Sequence, residues 1–295
     1  MGNHTGELAA LITAVLWTFT ALSFEQAAKR VGSLAVNILR LGLALLFFCA
    51  LCLVRTGHLF PAGFSTHNWI WLIISGIVGF VLGDYCLFSA YALIGSRIAN
   101  LFMALAPPLA TLLGCLLLRE EFSLKGLLGM TITLTGIVLV VLRKPGNRFR
   151  FVFSVKGILF GLGAAIGQAV GLVFSKYGME DRDPFMSSQI RVIAGFAGFS
   201  ILFAVLNKWN LLKPVFRRPS TLGFITSGSF FGPFLGVSFS LMAIKFTTTG
   251  IASTIMALTP VLLIPPAILV LKEKVTWRDI LGALIAVGGV AVFFL

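Results

Sequence analysis

One carboxylate lies where the surrounding hydropathy should exclude it. Asp84 falls inside an apolar run over 68–91, about eight residues before its end, or roughly 12 Å deep at the helical rise. Arg40 lies at a similar depth in a second run, 33–54. A charge inside lipid is costly unless paired, so Arg40 and Asp84, with Glu25 near them, are expected to form an intramembrane ion pair. Such a pair either fastens helices or touches a ligand, and the residues alone leave both open. Phe88 and Tyr91 share Asp84's helical face, and Tyr85 lies one step round. That cluster could hold an ammonium by charge and cation–π attraction, or simply face lipid.

A second chemical feature occurs twice: Met103-Ala104-Leu105-Ala106-Pro107 and Met256-Ala257-Leu258-Thr259-Pro260, each midway along an apolar run. Proline has no N–H, so the carbonyl four residues back, at Met103 or Met256, loses its partner. In lipid that carbonyl must be met by protein or water. Pro107 and Pro260 are therefore read as hinges facing a wet interior, extended by Pro108, Pro265 and Pro266; packed, immobile kinks are the competing reading. Helical spacing gives the stripes Asn100, Met103, Pro107, Thr111 and Ser253, Met256, Pro260, Ile264. Trp17 shares a face with Thr13, Thr20 and Phe24. Gln168 is the polar member of a face otherwise made of Gly157, Gly161, Ala164, Gly171 and Ser175, small residues that either pack closely or line a pore. The expected cavity is lined by Trp17, Asp84, Tyr85, Phe88, Tyr91, Asn100, Met103, Gln168, Ser253 and Met256. His4, His58 and His67 lie at the N-terminus or in one loop, and Cys49, Cys52, Cys86 and Cys115 lie inside apolar runs. That distribution indicates no metal centre and no disulfide framework, and no cofactor is expected.

The elements that position these residues are membrane helices. Hydrophobic residues make up 58% of the chain and charged ones 11%, a balance that leaves too little charge for a water-facing surface. The net charge of +13 is read as marking a membrane face and not a nucleic-acid partner, because the charges fall between apolar runs. Ten runs of about 20 residues are marked off: 7–28, 33–54, 68–91, 97–118, 124–142, 155–177, 184–206, 221–244, 248–271 and 277–295. The first has no basic flank or cleavage site and is read as a retained span.

The chain is duplicated. A shift of 153 superposes Met103 on Met256, Leu82-Gly83 on Leu235-Gly236, Glu120 on Glu273, Gly129 on Gly282 and Gly136 on Gly289. Arg40 matches Arg191, and Trp17-Thr18 falls opposite Gly167-Gln168. Val237 stands where the first copy has Asp84, so the acid is not duplicated. Arg191 is expected near the outer side, close in sequence to Glu180, Asp181 and Asp183. Five helices per copy is an odd number, so tandem copies must cross the membrane in opposite senses, as in inverted-repeat secondary transporters. The first unit covers 1–145, a polar linker 146–154, and the second unit 155–295. Fifteen of the 23 Lys and Arg residues follow odd-numbered runs, and six (Arg55, Arg119, Lys125, Lys176, Arg182 and Lys245) follow even-numbered ones. The positive-inside rule then places both termini outside and the Arg40–Asp84 pair toward the cytoplasm.

Two five-helix halves, a mid-helix proline in each fourth helix, and the Glu120-x-x-Ser123 and Glu273-x-x-Thr276 turns before Gly129…Gly136 and Gly282…Gly289 resemble the drug/metabolite transporter superfamily and its EamA-type repeats. The chain is most similar to the YddG-type amino-acid exporters. The resemblance implies an all-α, ten-helix inner-membrane exporter of small metabolites, with amino acids (aromatic and other neutral ones) as cargo. It also implies alternating access around a central cavity, with helices five and ten peripheral. Small multidrug relatives carry a central glutamate in the first helix for proton exchange, whereas here that helix has only Glu7 and Glu25 near its ends, which leaves facilitated diffusion open. Membrane lipid and a small-molecule substrate are the expected partners, and the chain is expected to be a monomer. The rivals are a multidrug efflux transporter for organic cations, with Asp84 as its carboxylate, and an integral-membrane lipid-modifying enzyme. Scattered single acids disfavour the enzyme.

Overall fold

The computed structural model describes residues 4–121, 123–141, 154–269 and 277–294, all helices and connections with no strand among them. Glu273, Thr276 and most of the linker at 146–154 lie outside the described residues. So do the side chains of Glu25, Tyr91, Asn100 and Pro260. The helices are α1 (Thr5–Val31), α2 (Ser33–Thr56), α3 (Thr66–Gly76), α4 (Asp84–Met103), α5 (Ala106–Leu118) and α6 (Leu124–Val141) in the first half. The second half has α7 (Val155–Met179), α8 (Pro184–Val205), the short α9 (Lys213–Phe216), α10 (Pro219–Ser229), α11 (Val237–Phe246), α12 (Thr249–Met256), α13 (Thr259–Leu262), α14 (Ile264–Leu269) and α15 (Trp277–Ala291). Six segments are long and apolar enough to cross a membrane, and Ala106–Leu118, Leu124–Leu139 and Ile280–Phe294 are shorter apolar helices. Large apolar side chains point outward all round, among them Val54 at 85% exposed and Leu116 at 67%. A water-soluble protein does not present so continuous an apolar surface. This is a multi-pass membrane protein.

Local chemistry sets the helix ends. Ser65 and Asn68 form a reciprocal capping box at α3. Asp183 accepts the Met186 N–H at 2.9 Å to start α8, with Pro184 in the first turn where its missing donor costs nothing. Gly57 ends α2 in the left-handed conformation at φ 75°.

The duplication extends to backbone irregularities. Seven-residue π-helical segments run over Ile77–Gly83 and Phe230–Gly236, 153 residues apart at both ends. Hydropathy gives no sign of them. Pro233 accounts for the second; its counterpart Phe80 does not account for the first. Helices also break at 104–105 and again at 257–258, each with a tight turn, Leu105 N–H to Phe102 and Leu258 N–H to Ile255. Pro107 and Pro260 stand in the first turn of the helix that follows each break. The third and fourth apolar runs share helical backbone through α4, yet α4's contacts double back along α7. Ile94 faces Gly157 while Phe102 faces Gly161. In the second half the chain turns openly at Thr247–Thr248 before α12.

Helix α6 packs on α15 more extensively than any other pair. A Cβ on Gly129 would lie 3.1 Å from the Gly289 carbonyl oxygen, and one on Gly136 would meet the Gly282 carbonyl oxygen and the Ala286 backbone. Gly129 with Gly289 becomes Gly282 with Gly136 when the copies are exchanged, so the crossing is self-complementary and antiparallel. Gly136→Val is expected to cost about 3 kcal/mol by overpacking, since backbone cannot give way. Gly223→Ala, in open space, should be silent; melting temperatures in detergent compare the two.

The same logic corrects one register. Gly232 packs on Thr20 as Gly79 packs on Gly171, and Gly228 meets Phe24 where Ser75 meets Ser175. These pairs relate α1 to α7 by 151 residues. Trp17 is thus the counterpart of Gln168 and not of Gly167.

Candidate functional site

A central cavity of two lobes, about 210 and 220 Å³, lies between the halves. Trp17, Leu87, Met103, Gln168 and Leu172 line both lobes and so mark where they join. Most lining residues have their repeat counterpart in the same wall: Gly79 with Gly232, Phe80 with Pro233, Arg40 with Arg191, Trp17 with Gln168, Met103 with Met256, and Ala104 with Ala257. The cavity therefore sits on the axis that relates the two copies, and both π-helical segments and both helix breaks face it. π-helical turns often mark functional sites because they re-aim side chains without ending the helix.

The first lobe is charged. Arg40 and Asp84 form an ion pair there, with side chains 12% and 15% exposed. The Arg40 guanidinium sits 5.7 Å from the Phe24 ring centre and 5.8 Å from that of Phe88. Arg191, 6% exposed, lies 4.9 Å over the Phe80 ring and lines the same lobe as Asp84. A Cβ on Gly79 would stand 3.3 Å from an Arg191 terminal nitrogen, so this glycine makes room for the guanidinium. Val237, in the lining, occupies the position equivalent to Asp84.

The second lobe is mainly apolar, with Met103, Met256, Pro107 and Leu263 around Ser253 and Thr259. The Met256 carbonyl, deprived of a helical donor by Pro260, accepts the Thr259 hydroxyl at 3.0 Å. Ala106 stands in that position in the first half and offers no hydroxyl. Ser253 turns its own hydroxyl to the Gly250 carbonyl at 3.3 Å. Gln168 engages no hydrogen bond among the described residues, which leaves its amide to the cavity.

Of the residues singled out by sequence, Trp17, Asp84, Met103, Gln168, Ser253 and Met256 come together in this wall. Tyr85 does not. It is 37% exposed and meets Phe160 edge-on at 6.2 Å, because the 100° helical step from Asp84 turns it outward. Phe88 is reached through Arg40 and is not a lining residue, and Thr111 donates to the Pro107 carbonyl at 2.9 Å. The small face of α7 is packing: Gly161 receives Phe102, and Ser175 bonds Ser75 at 2.6 Å. Arg191 is not drawn to the acids near it in sequence. Glu180 accepts from Asn68 at 2.9 Å, and Asp183 caps α8 and lies 3.8 Å from Arg55. Leu87, Leu172, Pro233 and Ser240 line the cavity without any prior signal except their repeat partners.

One end of the bundle is bridged by bonds between the halves. Glu120, at the end of α5, lies 2.7 Å from Lys176 and accepts the Thr249 N–H and hydroxyl at 2.9 and 2.7 Å. Lys176 also donates to the Thr247 carbonyl at 2.7 Å, and Thr247 donates to Glu7 at 2.9 Å. Sequence marked Glu120 only as a helix terminator.

A solved crystal structure of another protein shares the fold, with TM-score 0.77 over 98% of this chain and 95% of that chain at 21% identity. No curated protein matches the sequence significantly. The model of the EamA-like transporter family matches residues 4–142 and again 155–295, one match per half. The duplicated bundle and its axial cavity thus agree with a family match over almost the whole length: this chain belongs to the EamA-like transporter family of small-molecule transporters.

Proposed function

We propose that the chain is a secondary transporter that exports small metabolites, amino acids foremost among them (aromatic and other neutral ones), by alternating access. It acts as a monomer of ten transmembrane helices in two inverted five-helix repeats, 1–145 and 155–295, in the inner (plasma) membrane. The observation that carries this reading is the cavity on the repeat axis. When matched residues from both copies line one chamber, exchanging the two copies' conformations opens it to the opposite side without moving it. The chamber's make-up favours metabolites over organic cations: its one acid among the described residues, Asp84, is already engaged by Arg40. By the Lys and Arg bias, the end held by Glu120 faces outward, with both termini on that side.

The test is flux of labelled neutral amino acids into proteoliposomes, with and without a pH gradient. Saturable amino-acid flux supports the reading, and indifference to the gradient assigns facilitated transport. Cation-dye flux without amino-acid flux would transfer the chain to the efflux alternative. The helix breaks add a prediction. Pro107→Ala and Pro260→Ala allow the backbone to close over the break, and each should slow transport by about tenfold, the equivalent of ~1.4 kcal/mol on the slow step, while melting temperature holds or rises. Unchanged rates in both would reduce the prolines to packing.

A further inference from the structure

We propose that Arg191 is the anchor for a carboxylate on the transported molecule, standing where the second repeat lacks a counter-ion. The proposal rests on the cavity being the substrate chamber. Exchange of the repeats maps Arg40 onto Arg191 and Asp84 onto Val237. The first arginine has its acid. The second has a valine at the corresponding place, 7% exposed in the same lobe, and α8, which carries Arg191, packs on α11, which Val237 begins. Arg191 makes no ion pair or hydrogen bond among the described residues, and its Nε is buried without a partner. Among the described residues, two guanidiniums and one carboxylate leave this lobe with one uncompensated positive charge, which is costly at low dielectric and is offset by a ligand oxyanion. The excess of one matches a carboxylate; a phosphate monoester dianion would overshoot it. Beyond Gln168 the second lobe, with Met103 and Met256, receives an apolar body. The ligand class is a small carboxylate with an apolar body, and an amino group is tolerated and not required.

A matched series on the full-length protein tests this: phenylalanine, its deaminated analogue phenylpropionate, its decarboxylated analogue phenethylamine, and phenyl phosphate. Each competes against labelled phenylalanine in proteoliposomes, and direct binding is read by thermal shift. Phenylalanine and phenylpropionate should bind, phenethylamine should not, and phenyl phosphate should be weaker than phenylpropionate. Arg191→Gln should weaken both carboxylates by roughly ten- to a hundredfold, the loss of a charged hydrogen bond. Val237→Asp should raise the melting temperature by pairing with Arg191 and should abolish carboxylate binding, a combination a merely structural arginine would not give. Should either variant fail to fold, the series on the unaltered chain decides alone. Phenethylamine binding as well as phenylpropionate, or an Arg191→Gln protein of unchanged affinity, overturns the anchor while leaving amino-acid transport standing. Tightest binding of phenyl phosphate overturns the carboxylate in favour of phosphate. Binding by none of the series, with cation-dye flux, refutes the transport reading itself and the anchor with it.

Discussion

Asp84→Asn is expected to destabilise the protein by about 3–5 kcal/mol, the cost of leaving a buried partner uncompensated, and Arg40→Gln by distinctly less. The asymmetry follows from the third charge. Without Asp84, Arg40 and Arg191 face each other across a lobe with no anion. Without Arg40, the Asp84 carboxylate still shares the lobe with the Arg191 guanidinium. A double replacement by apolar residues, Arg40→Met with Asp84→Leu, should regain most of the loss, because no unpaired charge is then left between those two positions. Exchanging the pair, Arg40→Asp with Asp84→Arg, should recover part of it. Melting temperatures of the purified variants in one detergent measure all four. Equal losses for the two single variants, or additive losses in the doubles, would mean that the pair does not act as a unit.

Glu120→Ala is expected to open the end of the bundle that Glu120 closes. Its side chain is 9% exposed and holds Lys176 together with the start of α12. Removing it strands Lys176 and uncaps α12, and the closed state should lose about 3 kcal/mol, roughly a hundredfold in population. A transporter that cannot close one end cannot complete its cycle, so flux should fall by at least about tenfold even though the protein folds. Lys176→Met should be milder, because Glu120 keeps both bonds to Thr249. Flux and the reactivity of a cavity cysteine give the two readouts, and unchanged values in Glu120→Ala would show that the contact is incidental.

How much of this was legible beforehand differs from residue to residue. The Met-Ala-Leu-x-Pro twins disclosed the duplication, since identity persists where a helix must break and no other residues serve. The register of α1 against α7 was off by one, because those helices share few identical residues and only packing, Thr20 on Gly232 and Gly171 on Gly79, fixes it. The π-helical segments were invisible, since one extra residue in a turn does not alter hydropathy. Arg40 and Asp84 could be related by depth. The place of Arg191 in the charged lobe is not legible in the sequence, because nearness to Glu180, Asp181 and Asp183 along the chain says nothing of which way a side chain crosses the bundle. Tyr85 shared Asp84's neighbourhood along the chain but not its face.

The central claim is that one chamber between the two copies opens to one side at a time. Its most direct test is a cysteine at Met256, in a chain whose Cys49, Cys52, Cys86 and Cys115 are replaced, challenged from each face of oriented vesicles with a membrane-impermeant thiol reagent. The account predicts modification from the face opposite Glu120, protection by bound substrate, and a shift of reactivity to the Glu120 face in Glu120→Ala, with no passage of reagent across the membrane. Reagent crossing through the protein, or reactivity at the two faces that Glu120→Ala leaves unchanged, would contradict it.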